Sequence, residues 1–285
     1  MTGLAAAVGR LPLPVAAWMG RRIGDVAYVL FRGRRRLALA NLNRGFPERS
    51  PAEHRRIYRG SCQHLGLVFV ELCALLARPL PQFLERITID GLEHVKTVMA
   101  SHGRALALSA HLGNWEILSA AHRMSPYPLA VVVRPLDSPV LNALAQAVRN
   151  KTGVALIDKR RALRPVLTAL GQGHIVGILL DQNASRREGV FVPFFGRPAS
   201  TSRSIALLAV RTGTPVLPIF ARREAGGRHR VMVLPPLELP PLNDVEAAVV
   251  ELTARCTAAI EAAVRETPEQ WLWMHNRWRT RPPER

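Results

Sequence analysis

From residue 87 to residue 234 the chain alternates between short apolar or β-branched runs and stretches of helical periodicity. The runs are 87–89, 105–109, 129–133, 154–157, 175–180, 190–195, 216–220 and 231–234. Helical stretches at 93–100, 115–123, 139–151, 162–170 and 204–211 lie between most of them. A further helix over 244–266 begins at Asn243 or Asp244 and stops before Pro268. This alternation predicts an α/β fold with a mixed, mainly parallel sheet flanked by helices, the later strands running antiparallel. No internal repeat or low-complexity linker interrupts it.

Residues 1–80 carry a different pattern and read as a separate helical part ahead of an α/β domain over 81–285. Residues 1–31 are mostly apolar, but Arg10, Arg21, Arg22 and Asp25 break every run before it reaches 18 residues. That argues against an ordinary transmembrane span. Without a basic leading region or a cleavage site, a signal peptide is not expected. On a helical wheel Arg21, Arg22, Asp25 and Arg32 fall on one narrow stripe, and apolar residues from Val15 to Phe31 fill the rest. An amphipathic helix of this kind lies in a membrane interface or packs on the domain. The cluster Arg32, Arg34, Arg35 and Arg36 directly after it favours anionic lipid. A short helix then ends at Gly45 and Pro47. Ser50, with Pro51 and Glu53, caps a long helix reaching about Ala77. Its second half, 65–76, is nearly all apolar and is either core or dips into lipid.

Composition sharpens this in two ways. Among 285 residues, 39 Lys+Arg against 21 Asp+Glu give a net charge of +18, which implies an anionic partner. No zinc-finger spacing, RNP-like motif or heptad array supports a nucleic acid in that role. Cys62, Cys73 and Cys256 are scattered in apolar helical contexts and read as buried thiols in a reducing compartment.

The chemistry centres on His111-Leu112-Gly113-Asn114-Trp115-Glu116. An apolar strand precedes it and a helix beginning near Asn114 follows, so His111 stands at the C-terminal end of a strand, where open α/β sheets bind ligands. Glu116, in the first helical turn, is placed to hold one ring nitrogen and leave the other free as a base. Such a pair also arises often by chance. Arg134, ending another strand, suits a phosphate or an oxyanion, or equally a surface salt bridge. Asp181-Gln182 ends a further strand, Asp181 orienting Arg134 or a loop, or merely capping a turn. Residues 190–198, with Phe194, form a dense apolar loop that suits an acyl channel or the core. Ser200-Thr201-Ser202 would cap the next helix. In the tail, Trp271, Trp273 and Trp278 interleave with Arg277, Arg279 and Arg281, for a membrane interface or for packing on the domain.

The string His-Leu-Gly-Asn-Trp-Glu resembles the active-site motif of the lysophospholipid acyltransferase superfamily, and in particular its lipid A (lauroyl/myristoyl) branch. Asn41-Leu42 with Phe46-Pro47-Glu48, Arg134-Pro135, Asp181-Gln182, Val192-Pro193-Phe194-Phe195-Gly196 and the tail from Pro268 to Pro282 resemble the same family in the same order. The N-terminus departs from it, because the charged interruptions make the usual anchor less obvious.

The resemblance implies acyl transfer from a thioester on acyl carrier protein, or coenzyme A, to a hydroxyl of a phosphorylated lipid A precursor. It implies work at the cytoplasmic face of the inner membrane, on an anionic surface, without nucleic acid. Glu116 would orient His111 as base, and Arg134 or backbone N–H groups near Gly113 would stabilise the oxyanion. Gly113, Asn114, Asp181, Gln182, Phe194, Arg277 and Arg279 would contact substrate. A thiolate leaves readily, so no metal, cofactor or covalent acyl-enzyme is required. A different lysophospholipid or glycolipid acceptor, or a non-catalytic basic membrane-binding protein, are the competing readings.

Overall fold

The computed structural model describes residues 2–135 and 137–283. Helices come first: α1 (Thr2–Arg10), α2 (Leu13–Leu30), α3 (Arg32–Gly45), α4 (Pro51–Ala77) and the short α5 (Leu80–Leu84). The alternating part follows as β1 (Ile87–Asp90), α6 (Leu92–His102) and β2 (Ala105–Ser109). The next helix is broken, with α7 (Leu118–Ala121) between 3-10 turns at Trp115–Ile117 and His122–Met124. Then come β3 (Leu129–Val133), α8 (Pro139–Thr152), β4 (Ala155–Asp158), α9 (Leu163–Gly171) and β5 (Ile175–Leu179). A hairpin of β6 (Gly189–Phe194) and β7 (Arg197–Ser202), α10 (Ser204–Thr212), β8 (Val216–Arg223), β9 (His229–Val233) and α11 (Val245–Glu266) complete the chain.

Seven strands form one sheet in the order β1-β9-β8-β2-β5-β3-β4. Every neighbouring pair is parallel except β8–β9. All five residues of β2 are buried, as expected of a central strand covered on both faces. Ser109 pairs with Leu179, so the chain leaves β2 and β5 side by side at the same edge of the sheet. That register sets His111 level with Asp181.

The predicted cap of α4 forms as a capping box. The Ser50 hydroxyl accepts from the Glu53 N–H, and the Glu53 carboxylate accepts from the Ser50 N–H at 2.8 Å. Asp244 is the N-cap of α11. The apolar half of α4 resolves as core: Val68, Val70, Leu72, Cys73 and Leu75 are buried. Among the described residues α4 is the one helix long and apolar enough to cross a membrane by length and composition. The first eighty residues share their core with the rest. Ala38, Leu42, Phe46, Ile57, Tyr58 and Cys62 lie in one cluster with Leu106, Leu108 and Trp271.

Three expectations are corrected. Residues 1–31 are not one helix, because Pro12 cannot continue α1 and instead stands at the N-cap of α2. α2 packs on the domain with one face and leaves the other open. Gly20 and Gly24 press against the α4 backbone at Gly66, Cys62 and Gln63, where a Cβ would collide. Val15, Trp18, Val26 and Val29 on the other side are exposed, Trp18 at 64%. Residues 190–198 are not a loop but the β6–β7 hairpin, turning at Phe195-Gly196 with φ of 51 and 68°, the two positive values of a type I′ turn. Consequently Ser200 and Thr201 are buried in β7, and only Ser202 reaches the next helix, accepting from Ser204 N–H at 3.4 Å.

Candidate active site

His111 lies two residues beyond β2, its side chain 20% exposed. Its Nδ1–H donates to Asp181 Oδ1 at 2.8 Å, and its backbone N–H donates to Asp181 Oδ2 at 3.0 Å. The Trp271 indole N–H donates to Oδ2 as well, at 2.8 Å. Asp181 is thus fixed by three donors in a buried position, and it fixes the tautomer that leaves Nε2 as acceptor. Nε2 points to the exposed Gln182 amide, 3.4 Å away. Burial works against an imidazolium here. The neighbouring Asp181 charge and hydrogen bond, with Glu116 further off, outweigh it and raise the His111 pKa above 6.5. Burial also works against the Asp181 carboxylate, but His111 and Trp271 hold it below the ordinary range.

The carboxylate expected on the ring is elsewhere. Glu116 is buried, and Arg149 of α8 clamps both its oxygens, Nη2 to Oε1 at 2.5 Å and Nε to Oε2 at 3.0 Å. The 3-10 geometry at Trp115–Ile117 turns Glu116 toward α8. Trp115 instead meets the imidazole edge-on, with ring centroids 5.1 Å apart.

Gly113 has φ +59°, and a Cβ there would run into the Ala221 carbonyl. Its N–H is taken by the Gln270 carbonyl at 3.0 Å, so it is not free to hold an oxyanion. Asn114 is buried and donates to Glu71 Oε2 at 2.8 Å, closed to substrate. Glu71 in turn pairs with Arg223 and, at 3.3 Å, with His229. Burial alone would raise the Glu71 pKa, but these partners bring it well below the carboxylate range. A polar cluster under the turn therefore anchors it to α4 and β8.

The tail closes the site from the other side. Leu112 bridges to Trp271, and the Gln270 amide bonds both the N–H and the C=O of Arg223. Trp271, Trp273 and Trp278 are buried, so the packing role holds for them and not the interfacial one. Arg277 is fully buried as well. It donates to Ser200 O at 2.8 Å and Thr201 Oγ1 at 2.5 Å, and stacks on Phe194. Arg277 and Phe194, expected at substrate, instead tie the tail to the hairpin and have no open surface. Arg279 is exposed.

Arg134 is on the same edge as His111, but β5 lies between their strands. Two strand spacings put it about 10 Å away. It is 63% exposed and faces Asp137 at 3.8 Å.

Sequence reasoning missed Asp181 as the partner of the ring, and missed Glu71, Arg149 and Arg223 altogether. Two signals were present. Glu71 is a lone acid in an apolar half-helix. Arg149 directly follows the buried stripe Leu144, Ala145 and Val148 of α8.

Residues 1–280 match the family described as bacterial lipid A biosynthesis acyltransferase. Among similar proteins, the lipid A biosynthesis lauroyltransferase of Escherichia coli (strain K12) is 28% identical over 277 residues, 96% of this chain and 89% of that one. The palmitoleoyltransferase of the same strain is 26% identical over 275 residues, 96% of this chain and 88% of its own. The myristoyltransferase is 26% identical over 286 residues, 99% of this chain and 85% of its own.

Proposed function

Since the chain belongs to the bacterial lipid A biosynthesis acyltransferase family and is an acyltransferase, we propose that it moves a fatty acyl group from a carrier thioester to a hydroxyl of a phosphorylated lipid A precursor. The observation that carries the mechanism is the His111–Asp181 pair at the C-terminal edge of the sheet. Asp181 holds Nδ1–H, so Nε2 receives the acceptor proton as its oxygen attacks the thioester carbonyl. The C–S bond then breaks, and the imidazolium returns the proton to the thiolate. The Gln182 amide, beside Nε2, serves the oxyanion or the acceptor hydroxyl. Arg134 holds an acceptor phosphate at the rim, a distance that suits a headgroup better than the reacting carbon. Glu116 acts through its Arg149 pair, holding the turn that carries the ring.

The same reading sets the enzyme on the cytoplasmic face of the inner membrane. The exposed apolar stripe of α2 supports it, since a helix of this type binds an interface without spanning it. The basic surface matches both an acidic carrier protein and a phosphorylated lipid. The relatives' names carry lauroyl, palmitoleoyl and myristoyl groups.

The test is mass spectrometry of products after the purified protein meets acyl carrier protein thioesters of several lengths and a phosphorylated lipid A precursor. One added acyl mass, absent with His111→Ala, supports the proposal. Acylation of lysophospholipid alone, with none of the precursor, overturns the acceptor assignment.

A further inference from the structure

A cavity of about 820 Å³ lies between α2, the first half of α4 and the tail, away from His111. Four arginines line it, Arg49, Arg55, Arg56 and Arg59, against two carboxylates, Asp25 and Glu269. Asp25 is already engaged by Arg59 at 2.7 Å and Gln63 at 2.8 Å, so it neutralises little of the rest. Arg55 and Arg56, one turn into α4, are exposed and form no ion pair among the described residues. Val29 lines the same cavity and belongs to the exposed apolar stripe of α2, beside Val26, Leu30 and Phe31, of which Leu30 is 67% exposed. Cationic donors set next to an unpartnered apolar edge match the two halves of one ligand, a phosphate and the acyl region beneath it.

We propose that this cavity binds the phosphate of a membrane lipid, at a site distinct from the His111 centre. Arg55 and Arg56 supply the charge, Gln63 and Arg59 form its floor, and the α2 edge enters the lipid beside it. The inference rests on the membrane-surface reading above and deepens it by naming the group that is held. Its failure is separable, because Trp18→Glu/Val26→Glu, floated alongside, alters the apolar stripe alone and Arg55→Ala/Arg56→Ala alters the arginines alone.

The experiment uses the full-length protein. Flotation is measured on phosphatidylcholine vesicles with and without phosphatidylglycerol, for the parent, for Arg55→Ala/Arg56→Ala and for the charge-matched control Arg211→Ala/Arg228→Ala. Calorimetry with short-chain phosphatidylglycerol below its micellar concentration, and with inorganic phosphate, separates a lipid headgroup from free phosphate. Thermal unfolding verifies that each variant is folded. The expected result is about a tenfold or greater loss of affinity for phosphatidylglycerol vesicles in the Arg55/Arg56 variant beyond that in the control, with short-chain lipid preferred to inorganic phosphate. Equal losses in the two variants would reduce the site to general surface charge and overturn it. Inorganic phosphate binding as tightly as short-chain lipid would overturn the lipid assignment.

Discussion

Asp181 receives both the imidazole Nδ1–H and the backbone N–H of His111, one on each oxygen. A single carboxylate two residues beyond the neighbouring parallel strand β5 therefore fixes the position and the tautomer of the ring together. Register does this: Ser109 opposite Leu179 makes the two residues two positions later face each other.

The Glu116–Arg149 pair is bidentate, with Glu116 buried and Arg149 largely so. Removing one partner leaves an uncompensated charge, at a cost of about 3–5 kcal/mol, whereas replacing both is tolerated better. Glu116→Ala is expected to lower the thermal midpoint and the transfer rate together, and Glu116→Ala/Arg149→Met to recover much of the midpoint. A Glu116→Ala protein as stable as the parent but inactive would instead return Glu116 to the chemistry.

Gly113→Ala meets two penalties, a left-handed φ and a Cβ directed into the Ala221 carbonyl. Strain of this kind costs on the order of 1–3 kcal/mol, and the turn carries His111. Loss of transfer with a measurable drop in denaturant midpoint is expected. Parent-like kinetics would show that the turn tolerates displacement.

The protein should lose stability in acid. Burial pushes the His64 and His275 pKa values down to about 4. The unfolded chain takes up those protons near 6.5, so their contribution to stability is whole above that pH and falls toward pH 4; the two together outweigh the opposite contribution of the single raised His111. Glu71, held below its ordinary value, adds a further loss as pH falls below about 4.5. Urea midpoints from pH 7 to pH 4 test this; a flat series would contradict it, and His275→Gln should flatten part of it.

Charging the α2 stripe, with Trp18→Glu and Val26→Glu, leaves the glycine face that packs on α4 intact. Flotation on anionic vesicles should drop severalfold while the thermal midpoint holds. Equal flotation would make α2 a packing helix only.

The sheet was legible in the sequence because its strands are apolar on both faces and their helices amphipathic. All eight predicted runs became strands. β7 was missed because Pro198, Ser200 and Ser202 read as turn and cap residues, yet the strand pairs with the aromatic β6. Site geometry was less legible. His111 to Glu116 is a local spacing, and it suggested a contact. Asp181 meets the ring only through strand order, which a single chain does not print. The tail misled in the same way. Trp and Arg suit an interface and a core equally, and the Trp271 indole found its partner 90 positions away.

The most direct test is kcat/KM against pH for the parent and Asp181→Asn, with a carrier-protein thioester and a lipid acceptor. The base must be neutral to act, so the parent rate should fall on the acid side with a midpoint above 6.5. Asp181→Asn removes the charge that raises the ring and frees its tautomer. It should lose about a hundredfold to ten-thousandfold in rate and shift that midpoint downward. An Asp181→Asn enzyme with the parent's rate and an unmoved acid limb would contradict the His111–Asp181 assignment.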